Sequence, residues 1–240
     1  MRTGMNSDLD LLLEEIREEV WATRHLTGRQ VLEERVMEAL RKVPRHEFVP
    51  DELQYSAYAN HPLPIGHGQT ISQPYIVALM TDLIRPRPDD VVLEIGTGSG
   101  YQAAILAKLV RKVYTMEIVE ELAAAAGERL RRMGYDNVEV RAGNGQLGWP
   151  EYAPYDAILV AAAARRIPSA LIDQLRPGGT LVIPIGEQHA AQDLLVVRKH
   201  ESGRVEERNV LPVAFVPLTG TDEEQAMRSS QDHDSIKGRP

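Results

Sequence analysis

The stretch "VVLEIGTGSG", residues 91–100, decides the fold. Its first five residues are apolar except for one acid, Glu94, and the chain then turns at once to glycines at 96, 98 and 100. A run that short and apolar reads as a strand buried on both faces. The glycines permit a tight turn and let another molecule approach the backbone. The following "YQAAILA", residues 101–107, has helical spacing. Strand, glycine turn and helix make the opening unit of a parallel α/β sheet.

The same rhythm extends outward in both directions. "KVYTMEI" (112–118), "VEVRAG" (138–143), "YDAILVAAA" (155–163) and "GTLVIPIG" (179–186) read as further strands. Helical stretches at 101–110, 119–133 and 168–175 separate most of them. After Gly186 the alternation stops, and "DLLVVRKH" (193–200) and "ERNVLPVAFVPL" (207–218) read as two strands joined by a turn at Gly203. They are expected to pair antiparallel at one sheet edge. The fold class is therefore α/β: a doubly wound, mainly parallel seven-stranded sheet with an antiparallel edge. Ahead of it, Leu9, Leu12, Leu13, Ile16 and Val20 predict an amphipathic helix over 7–20, and a second helix spans 30–43 before Pro44. Residues 44–73 read as irregular. A helix follows from Gln73 to Ile84, with Ser72 as its expected N-cap and Pro74 in its first turn. The chain divides into an N-terminal helical extension (1–28), a main domain (29–220) that includes a polar loop at 60–75, and a polar, aperiodic tail (221–240) expected to be disordered.

Bulk composition narrows the function. With 240 residues the chain can bury a sizeable core, and 27 basic against 35 acidic residues give a net charge of −8. That balance disfavours a nucleic-acid partner. Cysteine is absent, which excludes disulfides, thiolate metal sites and a cysteine nucleophile. The first twenty residues read as neither a signal peptide nor a membrane span, so a cytoplasmic location without membrane contact is expected.

The glycine turn carries chemistry through its spacing. It is G-x-G-x-G (Gly96, Gly98, Gly100), not the G-x-G-x-x-G of dinucleotide dehydrogenases. Glu94, inside the strand, is unhelpful beside a pyrophosphate but suits a cation, such as the amino group of an amino-acid-bearing cofactor. Glu117 ends the next strand, where a carboxylate can accept from a ribose diol. "GNG", residues 143–145, follows the third strand, where an adenine edge would lie. Each feature also has a plain reading as a turn or a helix-start acid.

This arrangement resembles the seven-stranded, Rossmann-like methyltransferases that use S-adenosylmethionine. With "VPRHEFVP" (43–50), "PIGHGQTISQPY" (64–75), "GWPEYAPYDAILV" (148–160), "LRPGGTLVIPIG" (175–186) and "FVPLTG" (215–220), the chain resembles the bacterial protein-L-isoaspartate O-methyltransferase family over residues 28–220. The resemblance implies methyl transfer from S-adenosyl-L-methionine, leaving S-adenosyl-L-homocysteine, with no metal. The acceptor would be the free α-carboxylate of L-isoaspartyl residues in damaged proteins and peptides, for repair, by a monomeric enzyme. It places catalysis on Ser72. It places cofactor binding on Thr70, Gln73, Glu94, Gly96, Thr97, Gly98, Ser99, Gly100, Glu117, Ile118, Gly143, Asn144 and Gly145. Substrate binding would fall to Ile65, Gly66, Val216, Leu218 and Thr219. A carboxylate nucleophile is ionised at neutral pH, so no base is needed and His67 is expected to be solvated. Ser72 could equally be only a helix cap. The segment 213–219 could hold a substrate peptide by main-chain hydrogen bonds or be a plain edge strand with Pro217 blocking aggregation.

Two departures stand out. The family's Gly-Asp-Gly is "GNG" here, so Asn144 would accept from adenine more weakly than a carboxylate. After the fourth strand, "AAAARRIP" (161–168) brings Arg165 and Arg166, which could attract acidic peptides or simply be solvated. Two other readings remain open: a same-fold enzyme methylating another peptide carboxylate in a natural product, and a non-catalytic binding module.

Overall fold

The computed structural model describes residues 2–187 and 190–220, with side chains from residue 7 onward. The expected tail at 221–240 lies outside the described residues. A seven-stranded sheet forms the centre, in the order β5–β4–β3–β6–β7–β8–β9. Its strands are β3 (Val91–Ile95), β4 (Lys112–Glu117), β5 (Val138–Ala142), β6 (Tyr155–Val160), β7 (Leu175–Gly186), β8 (Gln192–Lys199) and β9 (Val205–Val213). The pairings among β3, β4, β5, β6 and β7 are parallel, and β7–β8 and β8–β9 are antiparallel. The expected sheet, its antiparallel edge and the strand-helix alternation are all present.

The central strands β3, β4 and β6 are short and largely buried because both faces are covered. On one face lie α1 (Arg2–Thr27), α2 (Glu34–Lys42), α3 (Pro74–Leu83) and α4 (Tyr101–Ala107), packed over residues such as Val92, Val113 and Leu159. On the other, Trp149, Tyr155 and Leu171, the last from α6 (Ser169–Gln174), cover Leu93, Ile95 and Ile158. α5 (Glu120–Arg132) follows β4. Burying one such leucine contributes roughly 1.5–3 kcal/mol. The order of strands reverses around β3, which has β4 on one side and β6 on the other. Ligands of open α/β sheets bind beyond the strand ends at such a reversal.

Several boundaries differ from expectation. α1 is longer than 7–20 and buries Leu12, Leu13, Ile16 and Val20 in the same cluster as the sheet. No described helix is long and apolar enough to cross a membrane. The stretch 44–73 is ordered by two 3-10 turns, Arg45–Phe48 and Asp51–Ser56, and by a hairpin of β1 (Leu63–Gly66) with β2 (Gln69–Ile71). Its alternation is too short to read as strands, and its turn forces His67 to φ 53°, a conformation that glycine usually takes. Ser72 is not the cap of α3. That position belongs to Gln73, whose side chain makes no cap bond. Instead Asn60 Oδ1 accepts from the Tyr75 backbone N–H at 3.0 Å, a cap supplied from fifteen residues upstream (|i−j| = 15).

The distant cap gives a stability prediction. Asn60→Ala should cost about 1 kcal/mol, or roughly 3 °C in Tm, while Ser72→Ala should stay within about 0.5 kcal/mol. Thermal denaturation of the two variants checks it, and the reverse order would return the cap to Ser72.

Candidate active site

A cleft opens at the reversal point. β3 and the glycine turn supply Ile95, Gly96, Thr97, Gly98 and Ser99, and β4 supplies Met116, Glu117 and Ile118. Gly145, Ala161 and Ala162 form another wall, and Val77, Met80, Tyr101 and Gln102 rise from α3 and α4. Two further segments close it: 69–72, from β2 of the hairpin into the residue after it, and 216–219 from beyond β9.

The glycine turn is shaped by Glu117. Its Oε2 accepts from the Gly98 N–H at 2.8 Å and its Oε1 from Val119 at 3.1 Å, so one carboxylate ties the turn to the start of α5. Gly96 and Gly98 have φ of 93° and 51°, a region that side chains resist. Gly145 is needed for space: a Cβ there would lie 2.2 Å from Ile95 Cγ2. Behind the turn, Glu94 is fully buried on β3. Thr115 Oγ1 donates to its Oε2 at 2.5 Å and stands 2.6 Å from Thr97 Oγ1. Glu94 Oε1 has no partner. Burial pushes its carboxyl up to about 8, with the Thr115 bond lowering it and Glu117 raising it. A buried acid in that condition lacks a cation.

Ser72 stands on a loop held from two sides. Arg45, wholly buried, donates from Nη2 to the Ser72 carbonyl at 2.8 Å, and its guanidinium lies 4.9 Å from the Tyr101 ring centroid. Its Nε and Nη1 have no partner, and burial pushes its pKa down. On the other side, Gln73 Nε2 donates to Glu19 Oε2 at 3.0 Å, and Asn60 Nδ2 donates to the same oxygen at 2.8 Å. Ser72 lines the cleft, and no described residue hydrogen-bonds to its hydroxyl.

The segment after β9 is not an open strand edge. The Ala163 N–H donates to the Val216 carbonyl at 2.8 Å, and the Leu218 N–H to the Ala163 carbonyl at 2.7 Å. Phe215 exchanges bonds with the Gln192 side chain at both its N–H (2.6 Å) and its carbonyl (3.1 Å). These backbone groups are taken by Ala163, just beyond the end of β6, and by the Gln192 side chain of β8. Pro217 is bridged to Ala163 at this crossing.

Of the expected site residues, Thr70, Ser72, Gly96, Thr97, Gly98, Ser99, Glu117, Ile118, Gly145, Val216, Leu218 and Thr219 line one cleft. Others do not. Gln73 turns to Glu19, and Glu94 lies behind the wall. Gly100, Gly143, Ile65 and Gly66 are outside the lining. Asn144 caps the 3-10 turn Gly145–Leu147, its Oδ1 accepting from the Gln146 N–H at 2.9 Å and its Nδ2 donating to the Gly220 carbonyl. Its carbonyl oxygen is therefore engaged within the protein. His67, Arg165 and Arg166 are exposed. Among the described residues no cluster could hold a metal ion. Sequence reading missed Glu19, Arg45 and Asn60. "VPRHEFVP" was a visible signal for Arg45, but nothing local marks the other two.

Fold and cleft together define an enzyme of the α/β methyltransferase class. The family model described as protein-L-isoaspartate (D-aspartate) O-methyltransferase matches residues 18–223, and the chain belongs to that family. A protein-L-isoaspartate O-methyltransferase 2 of Polaromonas sp. is 60% identical over 209 residues, covering 87% of this chain and 99% of that one. A namesake from Syntrophobacter fumaroxidans is 57% identical, covering 87% and 85%. Among solved structures, a Plasmodium falciparum protein described as a protein-L-isoaspartate O-methyltransferase, in complex with S-adenosyl-L-homocysteine, superposes with TM-score 0.71. It is 27% identical and covers 88% of this chain and 97% of that one.

Proposed function

We propose that this chain transfers a methyl group from S-adenosyl-L-methionine to the free α-carboxylate of L-isoaspartyl residues in damaged proteins and peptides. One observation carries the reading. The cleft at the glycine turn and a separate groove of about 460 Å³ share a wall made by Thr70, Ser72, Ala161 and Val216. A donor in one and a peptide in the other would meet at Ser72. Family membership and the close relatives support the same activity.

The residues present fit the donor. The glycine cradle admits a ligand against the backbone, and Glu117 at its lip has lone pairs left for a ribose diol. The unpartnered Oε1 of Glu94, just behind the cleft wall, favours a cation at that wall, such as the amino group of the methionine moiety. When bound, S-adenosyl-L-methionine supplies an electrophilic methyl on a sulfonium and departs as S-adenosyl-L-homocysteine. The protein's part is placement. The acceptor carboxylate is already ionised, so no residue need take a proton, in keeping with an exposed His67. Ser72 Oγ donates to one carboxylate oxygen and leaves the other free to react. The buried Arg45 behind the loop adds positive potential that favours an anion there. Val216, Leu218 and Thr219 keep water from the meeting point. The methyl ester then closes to the succinimide without help, and hydrolysis returns a share of normal aspartyl. We read the enzyme as a cytoplasmic monomer, a reading in keeping with a chain that has no cysteine.

A labelled-donor assay should show methylation of an isoaspartyl peptide and none of its normal aspartyl twin; equal rates would favour a natural-product carboxylate instead. Ser72→Ala should lower kcat roughly 10- to 100-fold, the worth of one hydrogen bond to a charged group, with donor affinity kept. Donor binding should also move a proton. A cation beside Glu94 favours its ionised form, so affinity should rise with pH up to about 8 and binding near neutrality should release a proton. Calorimetry with S-adenosyl-L-homocysteine in buffers of different ionisation enthalpy measures this. Glu94→Gln should abolish the release, and a parent protein that releases none would leave Glu94 without the amino group.

A further inference from the structure

The groove beside Ser72 has one charged side chain in its described wall, Glu19 of α1. The rest of that wall is polar-neutral or apolar, from Pro62, Gln73 and Tyr75 to Leu211, Val213 and Phe215. Glu19 lies on the inner stripe of α1, between the buried Ile16 and Val20 and one turn before Thr23, whose hydroxyl is 2.6 Å from that of Tyr75. It accepts from two neutral amides, Asn60 and Gln73. Among the described residues no Lys, Arg or His comes within ion-pair distance of it. Burial raises its pKa, the bonds from Asn60 and Gln73 lower it, and Glu15, of the same sign, raises it further. A half-desolvated carboxylate with no cation is an unspent attraction, and it opens onto the path a substrate must take.

We infer that Glu19 is a specificity-determining residue: it selects isoaspartyl peptides that carry a lysine or arginine close to the damaged residue and disfavours those that carry an acid there. The inference rests on the reading of the groove as the peptide's seat. Two opposite charges then divide the peptide between them. Arg45, behind Ser72, favours the α-carboxylate, and Glu19, in front of Gln73, favours a flanking ammonium or guanidinium. The N-terminal helix becomes part of substrate recognition and does more than cover the sheet. A purely structural Glu19, tying α1 to the loop, would affect all peptides alike.

The test compares kcat/KM for isoaspartyl peptides with lysine or glutamate at each neighbouring position in turn. At one position or more the lysine peptide should be preferred roughly fivefold, the size of a partly exposed charge pair. Glu19→Gln, which keeps acceptor geometry for Asn60 and Gln73, should bring that ratio to about one, and Glu19→Lys should invert it. Equal use of both peptides by the parent protein, or an unchanged ratio in Glu19→Gln, overturns the inference and leaves isoaspartyl methylation standing. Methylation of no isoaspartyl peptide overturns both.

Discussion

The reversal of strand order at β3 is the constraint on which the rest depends. With β4 and β6 on either side of it, the connections beyond β3 and β6 leave in different directions, and a gap remains above their ends. Every functional element converges there because it is the one place where backbone from several layers is uncovered. The glycine turn fills the floor, Glu117 fixes its shape, and Gly145 keeps the floor open where any side chain would strike Ile95. The segment 216–218 crosses the gap by bonding to Ala163. The antiparallel extension β8–β9 makes this crossing possible, since it returns the chain to the correct end of the sheet.

The Ser72 loop answers a different requirement. In the proposed reaction its hydroxyl has to remain available, so the loop cannot be secured through it. Main-chain and neighbouring groups secure it instead: Arg45 on the Ser72 carbonyl, Glu19 on Gln73, and Asn60 on the first turn of α3. Leaving two guanidinium nitrogens of Arg45 unpartnered in the interior costs stability, since an unmet buried donor costs about 1–3 kcal/mol. The chemistry gives a reason to keep it. An anionic carboxylate becomes a neutral ester, so positive potential assists capture of the acceptor more than the transfer step, whose transition state carries less negative charge. Turnover then has to come from orientation, which is the role proposed above for Ser72.

Much of this was legible in the sequence, because it is written locally. A two-faced strand demands an apolar run, and a ligand-bearing turn demands glycines in fixed spacing; "VVLEIGTGSG" shows both. The sheet and most of the cleft wall follow from such signals. What escaped was non-local. Asn60 caps a helix from fifteen residues away, and Glu19 reaches Gln73 across 54. No window of sequence contains both partners, so Ser72, adjacent and of the right type, looked like the cap. The hairpin at 63–71 was hidden by its brevity and by a histidine in a glycine-like conformation. The ties on 215–218 escaped for the same reason: their partners, Ala163 just beyond β6 and Gln192 of β8, lie far off in sequence.

Asn144 shows how a departure from a family pattern can be a structural requirement and not a weakened copy. Read alone, it exchanges a charged acceptor for a neutral one at an adenine edge. In the fold its amide has other work, and its orientation is determined: the Gln146 N–H requires the oxygen on that side, so the nitrogen points to the Gly220 carbonyl. Gln146 itself donates to the Leu218 carbonyl at 3.2 Å. Together with Ala163 these bonds fasten the far end of the segment that closes the cleft. An aspartate at 144 could still cap the turn, but it has no proton to offer Gly220, and two oxygens would face each other. The side chain that the family pattern assigns to the ligand is here committed to the wall around it. In the proposed donor site, the backbone at Gly145 and the Glu117 carboxylate are then the groups left to meet the ligand, with residue 144 acting through the closing segment.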